Sequence, residues 1–366
     1  MNKKIIYGLI ALVLIVGGLY FANTKQNNVV TPTTEGKTVN FGAVLALTGY
    51  AVNEGTQLQQ GIELAKADLA KEGITMNVEY YDDATDPKKS IAGVELMHSK
   101  GIKTVFGPTW SYMISAALPT LSKYDMMAFI GDTSSDVVEG DAVQKSHLVH
   151  GISPVYQIEE PSVTWIKEKG IKKLAIFTVD GTWGVVHTEA WKKSAAQAGA
   201  ETTMVEMFTY TSEPTVLETL IVKAKSEGVD GIVWTGTEAG AIAMVSKMQE
   251  IGYSVPVLGT VYLKTSVDLG KVSGANLDLS HIANKSSESF NEKYKAVYGV
   301  EPGAVVEPAY DLALFAARAE LEKGTMTTQE YLLLKEHDGF GNTYKFDANG
   351  DVINHGWVVT KIVTNS

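Results

Sequence analysis

From Thr38 onward the chain alternates short apolar, β-branched runs with longer stretches whose apolar residues recur every three or four positions. The spacing predicts strands at Val39–Leu47, Met76–Tyr81, Thr104–Phe106 and Met126–Ile130, with helices at Asn53–Lys71, Pro87–Ser99 and Ser111–Lys123. The series then restarts. A helix over Val155–Lys169 leads to strands at Lys173–Val179, Thr203–Phe208, Gly231–Thr235 and Val255–Leu258, with helices at Val185–Ala198, Val216–Glu227 and Ala239–Ile251. Glycines 101, 170, 199, 228 and 252 stand where helices should stop. Two more helices are expected over Ser286–Tyr298 and Pro308–Lys323. A final β pair, Tyr344–Phe346 with Trp357–Ile362, is expected around the turn cluster Asp347–Gly350.

Regular strand–helix alternation predicts parallel sheets covered by helices on both faces. The expected fold class is α/β: two doubly wound parallel-sheet lobes joined by a hinge near Gly151–Pro154, preceded by an N-terminal apolar helix. The first lobe is expected over 38–152 plus about 281–330, the second over 153–280 plus about 331–366. Ligands of such sheets bind beyond the carboxyl ends of the strands, so two facing lobes place a site in the cleft between them.

The first 22 residues follow a different pattern. Two lysines precede Ile5–Ala22, a run of 18 residues without charge. That exceeds the ~7–15 apolar residues of a secretory signal and approaches the ~20 of a spanning helix. A cut after Ala22 would also lack a small residue three positions upstream, where Tyr20 stands. A membrane anchor is the simpler reading and a cleaved signal peptide the alternative. The lysines then mark the cytoplasmic side, with the body on the extracellular face of the membrane, or periplasmic or secreted if the segment is cut. Residues 23–37 read as a polar stalk.

Charge and composition narrow the partners. A length of 366 residues with 45% apolar and 20% charged residues supports two or three folded domains. A net charge of −11 repels phosphate backbones, so no nucleic-acid partner is expected. The absence of cysteine excludes disulfides, thiolate metal sites and a lipid-modified cysteine. Arg318 is the only arginine, so a ligand carboxylate would be held by hydroxyls and backbone N–H groups at helix starts.

Enzyme signatures are missing: no phosphate loop, no dinucleotide-binding glycine pattern after the first strand, no H-E-x-x-H and no nucleophile elbow. His147 and His150 could share a face, but no third metal ligand stands near them in sequence, and packing is the simpler role. Asp82, Asp83 and Asp86 could form an acid–base pair, or Asp83 or Asp86 could cap the helix that opens at Pro87. No metal and no cofactor is expected. Six loops at predicted strand ends are instead rich in hydroxyl and aromatic residues. They hold Tyr50 and Glu54, Trp110 and Ser111, Asp132 with Thr133 and Ser134, Trp183, Thr237 and Glu238, and Tyr262. Singly, such residues are ordinary caps or packing aromatics; converging on one cleft, they make a small-molecule site.

Several stretches, in order, resemble the branched-chain amino-acid-binding proteins of ABC transporters. They are Phe41–Gly49 (FGAVLALTG), Gln60–Leu69 (QGIELAKADL), Tyr80–Ser90 (YYDDATDPKKS) and Val105–Ser111 (VFGPTWS), then Tyr298–Pro302, Ala309–Gly324 and Tyr344–Asp351. The resemblance implies a type I periplasmic binding fold and a non-enzymatic protein that hands a small amino acid, or a related amide or carboxylate, to an ABC permease. It further implies a carboxylate-binding serine at Ser111, a small-residue and threonine loop at Asp132–Ser134, an aromatic at Trp183, and a second-lobe loop at Thr237 and Glu238. The acid that often holds the ligand ammonium after the Val255–Leu258 strand has no counterpart in Gly259–Tyr262. Glu54 stands where an aromatic is usual, and Asp132 where a small residue is usual. Either the ammonium partner has moved to Glu54, Asp132 or Glu238, or the ligand is not an α-amino acid. A receptor domain signalling through a partner protein is the alternative function, and a Rossmann-type enzyme using the aspartates is a third. Relatives in single-membrane cells are often tethered through a lipidated cysteine, which this chain lacks, so the apolar run becomes the expected tether.

Overall fold

The computed structural model describes residues 37–363, apart from 269, 285, 286, 325–329, 331, 334, 335, 341, 342 and 355. The expected apolar anchor and nearly all of the expected stalk lie outside these residues. Among the described residues no helix is long and apolar enough to cross a membrane.

The first sheet has the order β2-β1-β3-β4-β5, built from β1 (Lys37–Leu45), β2 (Ile74–Asp82), β3 (Thr104–Phe106), β4 (Met127–Ile130) and β5 (Leu148–His150). The pairs β1–β3, β3–β4 and β4–β5 are parallel. Helices α1 (Val52–Lys71), α2 (Pro87–Ser99) and α3 (Ser111–Lys123) provide the crossovers, as the periodicity predicts. The short helix α4 (Ala142–Lys145) leads into β5, a three-residue strand that periodicity did not resolve. Asp86 accepts from the Lys88 backbone N–H at 2.8 Å and Pro87 opens α2, so Asp86 is the cap. Asp83 is buried, bonded to the Thr85 N–H and the Ser90 hydroxyl; Asp82 accepts from the N–H groups of Leu47, Thr48 and Ala84. Asp82 thus ties the β1 and β2 loops together, while Asp83 and Asp86 brace the β2 loop and the start of α2.

Beyond β5, the chain enters α5 (Val155–Glu159) and α6 (Pro161–Glu168). Pro161 divides what periodicity reads as one helix, because it carries no N–H for a continuous ladder. The second sheet has the order β13-β10-β9-β8-β6-β7. Its strands are β6 (Lys173–Val179), β7 (Glu201–Phe208), β8 (Gly231–Thr235), β9 (Val257–Gly259), β10 (Leu279–Asn284) and β13 (Trp357–Lys361). Its helices are α7 (Gly181–Ala198), α8 (Glu213–Glu227), α9 (Glu238–Glu250) and α10 (Val261–Asp268). The strands run parallel except β13, which lies antiparallel on β10. This corrects the expected final β pair. Trp357–Lys361 pairs with Leu279–Asn284, while Tyr344 in β12 (Thr343–Tyr344) pairs with His337 in β11 (His337–Asp338). The sequence LSHIAN reads as a connector because Ser280, His281 and Asn284 interrupt its apolar run.

Helices α11 (Glu288–Tyr298) and α12 (Val306–Lys323) return to the first sheet. Phe290, Tyr294, Tyr310 and Phe315 share a core with Phe41, Leu45 and Phe129. Leu332, Tyr344, Phe346 and Val352 also pack in that core, where the pattern alone places them with the second lobe. A separate core, with Phe177, Trp234, Met244 and Leu279, serves the second sheet. The turn Ser135–Val137 sits beside the crossing. Asp136 accepts from the Val155 N–H at 2.8 Å, and Asp351 accepts from the Ser135 N–H at 2.8 Å.

Candidate functional site

The loops at the carboxyl ends of both sheets meet. Glu54 sits in the first turn of α1 and is only 8% exposed. Its carboxyl interacts with the Tyr262 hydroxyl, which comes from the opposite lobe. Burial raises the Glu54 pKa to about 7, against the pull of the Tyr262 bond and with a further push from Asp132 and Glu238. The Tyr262 hydroxyl is in turn held well above its ordinary value by burial and by the Glu54 charge. Tyr262 falls in the first turn of α10 rather than in an open loop, which aims it at the cleft.

The loop after β3 turns sharply at Gly107, whose φ is 81°. A Cβ there would lie 2.2 Å from the Val44 carbonyl oxygen, so only glycine fits. Three residues on, Trp110 also has positive φ, 66°. Its N–H donates to the Asp132 carboxylate at 2.8 Å, which anchors the start of α3 and Ser111. Burial raises the Asp132 carboxyl to about 6, opposed by the Trp110 N–H and the Thr133 hydroxyl. Thr133 donates to Asp132 at 3.2 Å, and its own carbonyl lies 2.6 Å from Nδ1 of the buried His150. Burial lowers the His150 pKa to about 4.

From the second lobe, Glu238 presents one carboxylate oxygen to Lys271 at 2.6 Å, while its other is buried without a hydrogen-bond partner. Thr237 caps α9, and its backbone N–H and hydroxyl both bind the Glu213 carboxylate. Trp183 meets His187 edge-on at 5.2 Å and packs on the second core.

The structure therefore brings Glu54, Trp110, Asp132, Thr133, Glu238 and Tyr262 together. It places four candidates otherwise. Tyr50 is 83% exposed on the β1–α1 loop. The Ser134 hydroxyl turns to Asp136 at 2.6 Å, the Thr237 hydroxyl turns to Glu213, and Trp183 leans on His187. Sequence reasoning missed Tyr210 and Glu213. Tyr210 stacks on Trp110 from the other lobe, with centroids 5.8 Å apart and planes at 12°. Glu213 is fully buried, and burial raises its carboxyl to about 7 against the Thr237 bonds. The signal was available: Thr209–Glu213 (TYTSE) is a seventh hydroxyl-and-aromatic loop at a strand end.

Residues 38–363 match the periplasmic binding protein family. A Leu/Ile/Val-binding protein homolog of Brucella melitensis is 22% identical over 319 residues, covering 82% of this chain and 83% of that protein. A branched-chain amino acid transporter substrate-binding protein of Streptococcus pneumoniae, solved with isoleucine, superimposes with a TM-score of 0.74. It is 20% identical and covers 89% of this chain and 100% of its own. A solute-binding protein of an ABC transporter from R. palustris, solved with 4-hydroxybenzoate, gives 0.78 at 16% identity, over 90% of this chain and 94% of its own. With its two facing sheets and a match across nearly the whole described body, the chain belongs to the periplasmic binding protein family, as the resemblance to branched-chain amino-acid-binding proteins implied.

Proposed function

We propose that this chain is the extracellular substrate-binding component of an ABC transporter, capturing a small amino acid or a related amide by hinge closure and offering it to a permease. The observation that carries the reading is the meeting of Glu54 with Tyr262 across the cleft, beside Asp132 and Glu238. Three carboxyls converge there, and neither Glu54 nor Asp132 has a lysine or arginine among its principal electrostatic partners. A ligand that brings a positive or hydrogen-bond-donating group answers that imbalance. Ser111, at the start of α3, and the backbone N–H groups of that turn are the proposed seat of a ligand carboxylate. In this reading the first lobe docks the ligand through Ser111, and closure brings Tyr262 and Glu238 over it. The apolar run at 5–22 is the proposed tether.

A thermal-shift panel of amino acids, their amides, amines and small carboxylates, isoleucine and 4-hydroxybenzoate included, tests the ligand class. A ligand at a hundred times its Kd stabilises by about 2.7 kcal/mol, a rise of several degrees in Tm. A well-folded sample that no member stabilises removes the amino-acid reading. Recovery of full-length chain in the soluble fraction of its host removes the tether.

A further inference from the structure

Tyr210 lies outside the residues that the family pattern points to, yet it makes a face-to-face aromatic contact between the lobes. It stands on the loop between β7 and α8, next to Asp180, Glu213 and Tyr262 of its own lobe. From the first lobe it faces Trp110 in near-parallel stacking, with Tyr112 alongside. Trp110 is held for this contact. Its backbone (φ 66°, ψ 145°) occupies a region that side-chain-bearing residues rarely adopt, and the Asp132 carboxylate fixes its N–H at 2.8 Å. Its ring lies 6.2 Å from that of Tyr112, tilted, and 5.8 Å from that of Tyr210, nearly parallel.

We infer that Tyr210 is a positioning residue of the cleft, stacking on Trp110 to latch the lobes together and to set how deeply they close. A ring sandwiched between two others needs them about 7 Å apart, twice the optimal contact of about 3.5 Å between carbons. At 5.8 Å, Trp110 and Tyr210 touch each other and leave no room for a ligand ring between them. A ligand therefore occupies the space beside the pair, bounded by Glu54, Asp132 and Tyr262. The stack also brings Tyr262 within reach of Glu54, because both contacts close over the same gap between the lobes. The inference rests on the proposed function only in taking lobe closure as the working motion.

The test needs no ligand, so its outcome is separate from whether any panel compound binds. The chain lacks cysteine, and Lys89 and Glu227 are exposed in the first and second lobes. Lys89→Cys with Glu227→Cys accepts a donor and acceptor dye pair, and single-molecule energy transfer then counts closed and open molecules in protein stripped of small molecules. The unaltered cleft is expected to show a closed population. Tyr210→Ala is expected to lower the closed-to-open ratio by about 2- to 12-fold, the worth of one aromatic pair. Tyr210→Phe keeps the ring and is expected to keep the ratio. Circular dichroism and Tm of the alanine variant establish that it is folded. A folded Tyr210→Ala with an unchanged ratio overturns the inference. So does a Tyr210→Phe as open as the alanine variant, or an unaltered protein with no closed molecules.

Discussion

Glu54→Gln separates charge from shape at the centre of the cleft. The amide has nearly the volume of the carboxylate, and its carbonyl can still accept from the Tyr262 hydroxyl. Glu54 titrates near 7 in the folded chain, against 4.5 in an unfolded one, chiefly because it is buried. Between those values the folded state holds a proton that the unfolded state has released. Stability is therefore undiminished below about pH 4.5, falls as pH rises toward 7, and levels off above it. The full difference corresponds to about 3 kcal/mol at pH 8. At pH 5 it is under about 1 kcal/mol, because the folded carboxyl is still protonated and the unfolded one is only about half a pH unit past its own pKa. With an unfolding entropy near 2.1 cal/mol/K per residue, a body of this size gains about 4 °C from the larger figure and about 1 °C from the smaller. The assay is differential scanning calorimetry of ligand-stripped wild type and Glu54→Gln at pH 5 and pH 8. The variant should be the more stable at pH 8 and nearly equal at pH 5. An equal shift at both pH values, or none at either, refutes the picture of a buried carboxyl that resists ionisation.

Three further outcomes follow from the same geometry. An amine ligand from the panel requires Glu54 ionised, so its affinity should rise up to tenfold per pH unit between about 5 and 7 and flatten above; calorimetric titration at pH 5.5, 6.5 and 8 reads this, and a flat profile disconnects Glu54 from the ligand. Glu213→Ala strips the Thr237 N–H and hydroxyl of their acceptor and should cost about 1–3 kcal/mol in urea unfolding, whereas Glu213→Gln, which keeps an acceptor, should cost less; equal losses would mean that the carboxyl only fills space. Ser111→Ala should weaken binding of any carboxylate ligand about tenfold or more at unchanged Tm, and unchanged affinity would move the carboxylate seat elsewhere.

The parts of this fold that periodicity reveals are those with one clear face. Helix α1 buries Leu58, Ile62, Ala65 and Leu69 at helical spacing, and Asp86-Pro87 announces the start of α2, so both are legible within a residue or two. β10 is not, because its partners on either side are β9, twenty-two residues earlier, and β13, over seventy residues later. Its apolar content is shared out between those neighbours, and no local pattern reports it. The same distance effect hides the lobe assignment of Tyr344 and Phe346, whose burial depends on Phe315 of α12.

The site divides along a similar line. Sequence finds the loops, because a hydroxyl, glycine or aromatic after a strand is a local signal, but it cannot tell which hydroxyls remain for a ligand. Thr133, Ser134 and Thr237 look equivalent to Ser111 in composition, yet their hydroxyls are committed to Asp132, Asp136 and Glu213. Glu213 shows why: it lies twenty-four residues before Thr237, and its burial is set by Gly236 and Gly240, where any side chain would meet its carboxylate. Those two glycines read as loop and helix filler in one dimension; in three they are the space that lets a carboxylate brace the second-lobe wall of the cleft. The acids that differ from the family pattern follow the opposite logic. Glu54 and Asp132 are conspicuous in sequence because they sit where the resemblance leads one to expect an aromatic and a small residue, and the structure puts both at the meeting point of the lobes. Asp132, however, spends one oxygen on the Trp110 backbone, so part of its charge serves to shape the wall. Glu54 has only the far-lobe Tyr262 hydroxyl and its own backbone N–H to ease its ionisation, against the push of burial, Asp132 and Glu238. Among the three converging carboxyls it is the one whose leading side-chain partner comes from the opposite lobe, whereas Asp132 and Glu238 are held by their own lobes, and that makes it the group where ligand charge and the contact between the lobes meet.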